Sequence, residues 1–232
     1  MVFNTLLFVS LAPVLIIAFY IYSRDRYEKE PFSILVKALF AGVLTVIPAV
    51  LIEKVMTGLS PVGEGMANAG FTAFVVAGFT EELMKYLAFY FFFRKDKNFN
   101  EKFDGIVYAV YISLGFATIE NILYVFTGGV GVGIVRALTA VPAHALFGIV
   151  MGYYFGLARF ESRFRSVNLI LAFLLPFLFH GLYDFILMSN SQLLLTVFIP
   201  LFAYFWVMGF RKMSRLSDAS VFRGNSGERP VR

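Results

Sequence analysis

The sequence predicts an all-α fold, a polytopic bundle of about seven transmembrane helices. Hydrophobic residues make up 59% of the chain, charged residues only 15%, and the mean hydropathy is +0.77. A soluble domain carries about 25% charged residues. The apolar residues run unbroken over about 20 positions, rather than in the alternating stretches of about ten residues that build membrane β-barrels. We therefore expect helices, which satisfy their own backbone hydrogen bonds in lipid.

The apolar runs place the predicted spans in order along the chain. They cover residues 2–22, 32–52, 69–93, 104–127, 134–158, 168–188 and 191–210. The first span has no basic residue before its apolar core, which is typical of an uncleaved anchor rather than of a signal peptide. Glycines between residues 128 and 133 obscure the start of the fifth span, and a short polar turn near residue 190 separates the last two.

The basic residues predict the orientation of the spans. Sixteen of the 20 Lys and Arg residues lie in the loops after the first, third and fifth spans and in the C-terminal tail, against two in the alternate loops. Basic loops remain in the cytoplasm. We therefore expect the N-terminus outside and the C-terminus in the cytoplasm. Residues 1–210 form a single predicted membrane domain, and residues 211–232 a mobile basic tail.

Two adjacent carboxylates, Glu81 and Glu82, lie inside the third predicted span, and Lys85 follows one turn later. An ionisable residue near the bilayer centre costs about 2.5–3.5 kcal/mol on insertion scales. An ion pair that locks helices together would account for these residues. Buried charges in membrane helices more often mark chemistry or transport, so we interpret them as the centre of a functional site.

The other polar residues of the spans fall at a similar depth. At about 1.5 Å of rise per residue, Glu120 and His144 lie in the outer halves of the fourth and fifth spans. His180 lies just past the middle of the sixth span, and Asp184 lies further out. The chain has two histidines, and both fall in this layer. We therefore expect these side chains to converge between the midplane and the outer leaflet.

Spacing assigns expected roles within this group. Glu81 and Lys85 share a helix face, whereas Glu81 and Glu82 point about 100° apart. One glutamate can therefore face a cavity while the other pairs with Lys85 or a neighbouring helix. His180 and Asp184 are four residues apart, so that carboxylate can orient the imidazole. Structural alternatives remain for Lys85 as a counter-ion, Asp184 as an interfacial residue, and Glu120 as a partner of polar backbone.

In a partly dry cavity, this set of residues can activate water. One glutamate can act as general base, and a histidine can donate to a developing oxyanion or to a leaving amine. Glutamate and histidine also hold zinc with an open position for water, with Glu82, His144 and His180 as candidate ligands. The residues leave open whether the cofactor is zinc or none is needed. The chain contains no cysteine, no HExxH helix and no GxSxG elbow.

Four segments resemble, in order, the motifs of the PrsW family of membrane proteases. This family belongs to the CAAX-protease and bacteriocin-processing superfamily. The segments are EELMK at 81–85, FATIE at 116–120, PAHALFG around His144 and HGLYD at 180–184. The wider superfamily typically has EExxxR and FxxxH, whereas EExxK and FxxxE match the PrsW variant. The resemblance covers about residues 75–187.

The resemblance implies a multi-pass peptidase of the bacterial plasma membrane. Such proteases make the first, extracytoplasmic cut in a membrane-spanning anti-sigma factor, which leads to a second intramembrane cut and a stress response. The implied partners are therefore a single-pass membrane substrate and the lipid bilayer, and no nucleic acid. The resemblance assigns candidate site roles to the following residues: Glu81, Glu82, Glu120, His144, His180 and Asp184.

Two alternatives remain at the level of sequence. A proton-coupled transporter would use the buried Glu and His residues as a relay, but the chain shows no paired halves of similar pattern. A non-catalytic scaffold of the same superfamily would retain the fold and tolerate the loss of either glutamate. The complete set of polar residues counts against the scaffold.

Overall fold

The structure, a computed structural model, describes residues 2–60 and 63–223, and these residues form helices with no strand among them. The helices in chain order are α1 (Val2–Arg24), α2 (Phe32–Gly58), α3 (Met66–Gly70), a π-helical segment (Phe71–Gly78), α4 (Phe79–Phe92), α5 (Lys102–Leu138), α6 (Ala140–Phe160), a 3-10 turn (Ser162–Phe164), α7 (Arg165–Met188) and α8 (Gln192–Asp218). The predicted all-α class is confirmed.

Five helical segments of the described residues are long and apolar enough to cross a membrane. They are residues 2–24, 32–58, 102–160, 162–188 and 192–218. The third contains both α5 and α6 and is 59 residues long, about twice the length that spans a bilayer. The chain is therefore a multi-pass membrane protein. The predicted span at 69–93 is not among the five; there α3, the π-helical segment and α4 follow one another directly.

Two helices extend beyond their predicted ends. α2 continues to Gly58 rather than to residue 52, and α8 continues to Asp218 rather than to residue 210. Lipid thickness limits the apolar part of a helix, but a helix can continue into water while its polar residues are solvated. The first residues of the predicted mobile tail are thus helical, and residues 224–232 of that tail lie outside the described residues.

α5 changes direction at Gly129, which has φ 79° and ψ −175°. A straight helix would separate residues 121 and 136 by about 22 Å. Instead, Nε of Arg136 donates to Oδ1 of Asn121 at 3.0 Å. The residues after Gly129 therefore turn back along α5. Residues 134–138, which the sequence analysis placed in the fifth span, belong to this returning end, and α6 begins at Ala140.

Small residues allow α5 and α6 to pack with their backbones in contact. A Cβ atom on Gly152 would collide with the carbonyl group of Gly105, and one on Gly156 would collide with the carbonyl of Lys102. A Cβ atom on Gly148 would lie 2.9 Å from the hydroxyl of Ser113. The spacing of glycines along α6 predicts such a packing face, and the structure confirms it.

A second close approach places the start of α4 against α7. A Cβ atom on Gly78 would lie 2.9 Å from the backbone nitrogen of Gly181, and one on Gly181 would collide with the ring of Phe74. Gly78 ends the π-helical segment, three residues before Glu81, and Gly181 follows His180 directly. This contact therefore fixes the glutamates beside the histidine. π-Helical turns are rare and often occur at functional sites.

The packing of α5 on α6 leads to a first prediction. We expect Gly152→Val to lower the unfolding temperature of the detergent-solubilised protein strongly, because the new side chain has no room against the backbone of Gly105. Overpacking typically costs about 1–3 kcal/mol. Gly131→Val is the matched control, since a Cβ atom at Gly131 meets no atom within 4 Å. Equal unfolding temperatures for the two variants would contradict this packing.

Candidate active site

A polar cavity of about 560 Å³ opens between the helices that carry the predicted site residues. Its ionisable lining residues come from α2, α4, α5, α6 and α7. They are Glu53, Lys54, Glu81, Glu120, Arg136, His144, His180 and Asp184. Its volume is within the range of ordinary ligand-binding sites. Groups more than 100 residues apart in sequence therefore line one open cavity.

Lys85 connects the two glutamates of α4. Its Nζ donates to Oε2 of Glu81 at 3.1 Å and to Oε1 of Glu82 at 2.8 Å. The side chains of Lys85 and Glu82 are fully buried, and Glu81 is 6% exposed. The ammonium also lies 4.2 Å from the ring centroid of Phe116. One buried cation thus bonds to two adjacent carboxylates, of which Glu81 alone lines the cavity.

The contacts of His144 fix its tautomer. Nδ1 lies 3.1 Å from Nζ of Lys85, and Nε2 lies 2.7 Å from Oε2 of Glu120. An ammonium has donors only, so Nδ1 must accept a hydrogen bond from Lys85. Nε2 then carries the hydrogen and donates to the Glu120 carboxylate. Two charged residues on other helices therefore hold His144 in one orientation.

His180 lies between two carboxylates. Its Nδ1 is 2.9 Å from Oε1 of Glu82, and its Nε2 is 3.4 Å from Oδ2 of Asp184. The ring stacks on Phe147 with centroids 5.0 Å apart and contacts the ring of His144 edge-on at 5.4 Å. Both ring nitrogens thus face acceptors, and the apolar ring of Phe147 fixes the plane of the imidazole.

The structure brings all seven residues of the predicted site together. Five of them, Glu81, Glu82, Lys85, His144 and His180, are buried. Each imidazole has one carboxylate behind its Nε2 atom, Glu120 for one ring and Asp184 for the other. Asp184 and Glu120 therefore contact the histidines directly, which argues against purely interfacial or backbone-capping roles. Lys85 has the bonds expected of a counter-ion.

Two residues that line the cavity escaped the sequence analysis as site residues. Arg136 reaches the site because α5 turns back, and its Nη2 lies 3.1 Å from Oε2 of Glu120. The sequence analysis counted Arg136 only as a basic residue outside the spans. Glu53 lies one residue beyond the predicted second span, and among the described residues its buried Oε1 has no hydrogen-bond partner. The continuation of α2 past residue 52 brings it to the cavity.

The buried donor set is of a kind that holds a metal ion. One ligand atom each from Glu81, Glu82, His144 and His180 lies within 4.8 Å of the others. Carboxylate and imidazole are ordinary zinc ligands, and a carboxylate behind each imidazole is the usual support for a metal-binding histidine. The ammonium of Lys85 already lies among these donors, so the space accepts positive charge. The residues present therefore fit a metal ion.

The chain is similar to known proteins over a region that includes all of these site residues. Residues 30–209 match the sequence profile of the PrsW family intramembrane metalloproteases. Protease PrsW of Geobacillus kaustophilus (strain HTA426) is 41% identical over 189 residues, 81% of this chain and 82% of the relative. Protease PrsW of Bacillus subtilis (strain 168) is 37% identical over 215 residues, 92% of this chain and 96% of the relative. No solved structure matches the chain significantly.

The position of Lys85 leads to a second prediction. Lys85→Met leaves two buried carboxylates without their cation, and breaking a buried ion pair in this way costs about 3–5 kcal/mol. We expect a large fall in the unfolding temperature, partly restored in Lys85→Met/Glu82→Gln. Lys37→Met is the control, because Lys37 is exposed and forms a single surface pair with Asp96 at 3.3 Å. If the two lysine variants unfold alike, Lys85 does not hold the site together.

Proposed function

Since the chain belongs to the PrsW family of intramembrane metalloproteases and is a peptidase embedded in the membrane, we propose that the cavity around Glu81 is its catalytic centre. The single observation that supports this most is the arrangement of four separate helices around Lys85. Their carboxylates and imidazoles point at one another inside a cavity rather than at lipid.

We assign Glu81 as the general base. It lines the cavity, whereas Glu82 lies behind it and bonds to Lys85 and His180. A water molecule in the cavity can therefore reach the carboxylate of Glu81 and not that of Glu82. In this proposal Glu82 is a positioning residue that holds the imidazole of His180. This assignment resolves the choice between the two glutamates that the sequence alone leaves open.

The proposed reaction is hydrolysis of a peptide bond. Glu81 takes a proton from water as the water oxygen attacks the scissile carbonyl carbon. Both ring nitrogens of His180 face carboxylates, those of Glu82 and Asp184, so we assign His180 to holding the zinc ion described below and not to donating a hydrogen bond to the developing oxyanion. When the carbon–nitrogen bond breaks, Glu81 returns the proton to the leaving amine. Asp184 keeps the imidazole of His180 oriented during these steps, and Glu120 does the same for His144.

The proposed metal is zinc, held by Glu82, His144 and His180. When bound, zinc lowers the pKa of water and polarises a carbonyl group. Glu120 and Asp184 behind the imidazoles would support such ligands. Since Nζ of Lys85 lies 3.1 Å from Nδ1 of His144, the ammonium competes with a metal ion for this nitrogen. Occupancy by zinc therefore requires Lys85 to shift its hydrogen bonds.

The proposed substrate is a single-pass anti-sigma factor in the bacterial plasma membrane. The resemblance to PrsW proteases supports this choice, together with the expected orientation, in which the cavity faces the outer leaflet. Cleavage there is an extracytoplasmic, site-1 event. A cut near the membrane surface suits this cavity, because its lining includes the exposed Lys54 and the partly exposed Glu53 and Asp184.

Variants at the proposed base and at the histidine test this function. We expect Glu81→Gln and His180→Ala to reduce cleavage of a co-expressed single-pass regulator by about 10²- to 10⁴-fold, the usual contribution of a general acid or base. The measurement is the size and amount of the substrate fragments on an immunoblot. Glu161→Gln is the control. Glu161 lies in the loop after α6, and its partly exposed side chain pairs with Lys102 at the start of α5.

Full-rate cleavage by both variants, each present in the membrane at the level of the Glu161→Gln control, would refute the proposed site. Cleavage that Glu81→Gln retains and Glu82→Gln loses would exchange the roles of the two glutamates while preserving the site.

Metal removal tests the cofactor separately. We expect purified protein treated with 1,10-phenanthroline to lose cleavage of a peptide substrate and to regain it when zinc is added, because the proposed ligands depend on the ion to activate water. Elemental analysis of the treated protein measures the loss of metal directly. Full activity in protein that retains almost no zinc would establish metal-free catalysis by Glu81 and the histidines.

A further inference from the structure

A second group of carboxylates lies far from the catalytic cavity. Asp104 is near the start of α5, and the neighbouring Gly105 packs against Gly152 and Gly156 near the end of α6. His144 lies near the beginning of α6. Twelve residues of helix between 144 and 156 correspond to about 18 Å. The two acidic groups therefore lie at opposite ends of the bundle.

Five acidic residues meet at this second end, from the loop after α1 and from the start of α5. They are Asp25, Glu28, Glu30, Glu101 and Asp104. Within residues 2–60 and 63–223, none of the five forms a salt bridge with a basic side chain. Nζ of Lys29, in the same loop, bonds to the carbonyl oxygen of Tyr22 and lies over the ring of that tyrosine.

Three of these carboxylates use one oxygen each to bond to the protein. Oδ2 of Asp104 accepts from the backbone nitrogens of Asn100 and Glu101, both at 2.8 Å. Oε2 of Glu30 accepts from the hydroxyl of Tyr108 at 2.6 Å. Oε1 of Glu28 accepts from the side-chain amide of Asn100 at 3.2 Å. The three side chains are therefore held in fixed positions by neutral donors.

The second oxygen of each of these carboxylates has no hydrogen-bond donor from another residue type in the part of the chain that the structure describes, and the carboxyl groups of Glu30 and Asp104 lie within hydrogen-bonding reach of each other. These atoms are Oε2 of Glu28, Oε1 of Glu30 and Oδ1 of Asp104. Glu30 is 2% exposed and Asp104 is fully buried. Buried polar atoms in native proteins are nearly always paired. Unpaired oxygens on three oriented carboxylates therefore indicate a missing positive partner.

The three residues also have the right separation for a shared ion. One ligand oxygen from each lies within 4.8 Å of the others, and oxygens that bind one hard cation at 2.0–2.6 Å are spaced in this way. Among the described residues no basic side chain pairs with these carboxylates, so a shared ion would also supply the positive charge that their burial requires.

We propose that Glu28, Glu30 and Asp104 bind a hard divalent cation of the Mg²⁺, Mn²⁺ and Ca²⁺ class. All three ligands are carboxylate oxygens, which these ions prefer, and the site has no nitrogen or sulfur donor of the kind that selects zinc or copper. The ion ties the loop between α1 and α2 to the first turn of α5. This site is distinct from the catalytic cavity and independent of the proposed proteolytic function.

Mn²⁺ is the probe for this site. The sharp electron paramagnetic resonance signal of free Mn²⁺ disappears when the ion binds to protein, so the remaining signal measures the free ion. The full-length protein, in detergent and stripped of metal with a chelator, is titrated with MnCl₂. His144→Ala/His180→Ala in the same titration removes any ion bound in the catalytic cavity. We expect one Mn²⁺ to remain bound in that double variant and to be displaced by excess Mg²⁺ or Ca²⁺.

Glu28→Gln tests the ligands with least risk to the fold, since Glu28 is only partly buried. We expect at least about tenfold weaker Mn²⁺ binding, in line with the loss of an important group of a metal site. Glu161→Gln, which changes a partly exposed carboxylate in the loop after α6, should bind Mn²⁺ as the wild type does. Mn²⁺ and Mg²⁺ should also raise the unfolding temperature of the wild type and of Glu161→Gln, but not that of Glu28→Gln.

Two results would overturn the proposal. One is the absence of Mn²⁺ binding in His144→Ala/His180→Ala, and the other is equal binding by Glu28→Gln and the wild type. A wild type whose unfolding temperature rises as the pH falls, but does not respond to Mn²⁺ or Mg²⁺, would instead identify shared protons as the neutralising charge. That outcome also excludes the cation.

Discussion

The ammonium of Lys85 is the interaction on which the site depends. It contacts two carboxylates of its own helix and the imidazole of His144 on α6, all within 3.1 Å. Charges removed from water are stable only when they are paired and hydrogen-bonded. Both carboxylates come from α4, but the third hydrogen bond of the ammonium goes to His144, and it requires α6 to lie at one rotation and one depth. The hydrogen bonds of Lys85 thus help to determine how α4 and α6 pack, and the packing in turn positions the polar groups.

Small residues make this arrangement sterically accessible. Side chains of Glu, Lys and His reach only a few ångströms, so the helices that carry them must approach closely. Gly152 and Gly156 bring α5 against α6, and the contact between Gly78 and Gly181 brings α4 against α7. The resulting network has an inner residue, Glu82, and a cavity-facing residue, Glu81. Two identical side chains thus acquire different environments, which suits the separate roles of positioning group and proton acceptor that we propose for them.

Much of this could be predicted from the sequence, because lipid allows few solutions. Long apolar runs predict helices, and any charge within them needs a partner, so the sequence predicts Glu81, Glu82 and Lys85 as site residues. It does not predict Arg136 or Glu53. Arg136 reaches Glu120 only because the chain reverses at Gly129, and a glycine-rich stretch does not reveal in which direction the chain continues. Glu53 requires α2 to extend beyond its apolar run, which hydropathy does not report.

The buried carboxylates at the two ends of the bundle have different kinds of partner. In the proposed catalytic cavity, Lys85 and Arg136 supply positive charge from within the chain, at 2.8–3.1 Å from the carboxylates. At the other end, Tyr108, Asn100 and backbone amides supply only neutral donors, which orient the acids without cancelling their charge. Helix ends and neutral hydrogen bonds lower the cost of burying a carboxylate but do not remove it. The difference between the two clusters is therefore one of net charge, and it is this difference that calls for an ion from outside the chain.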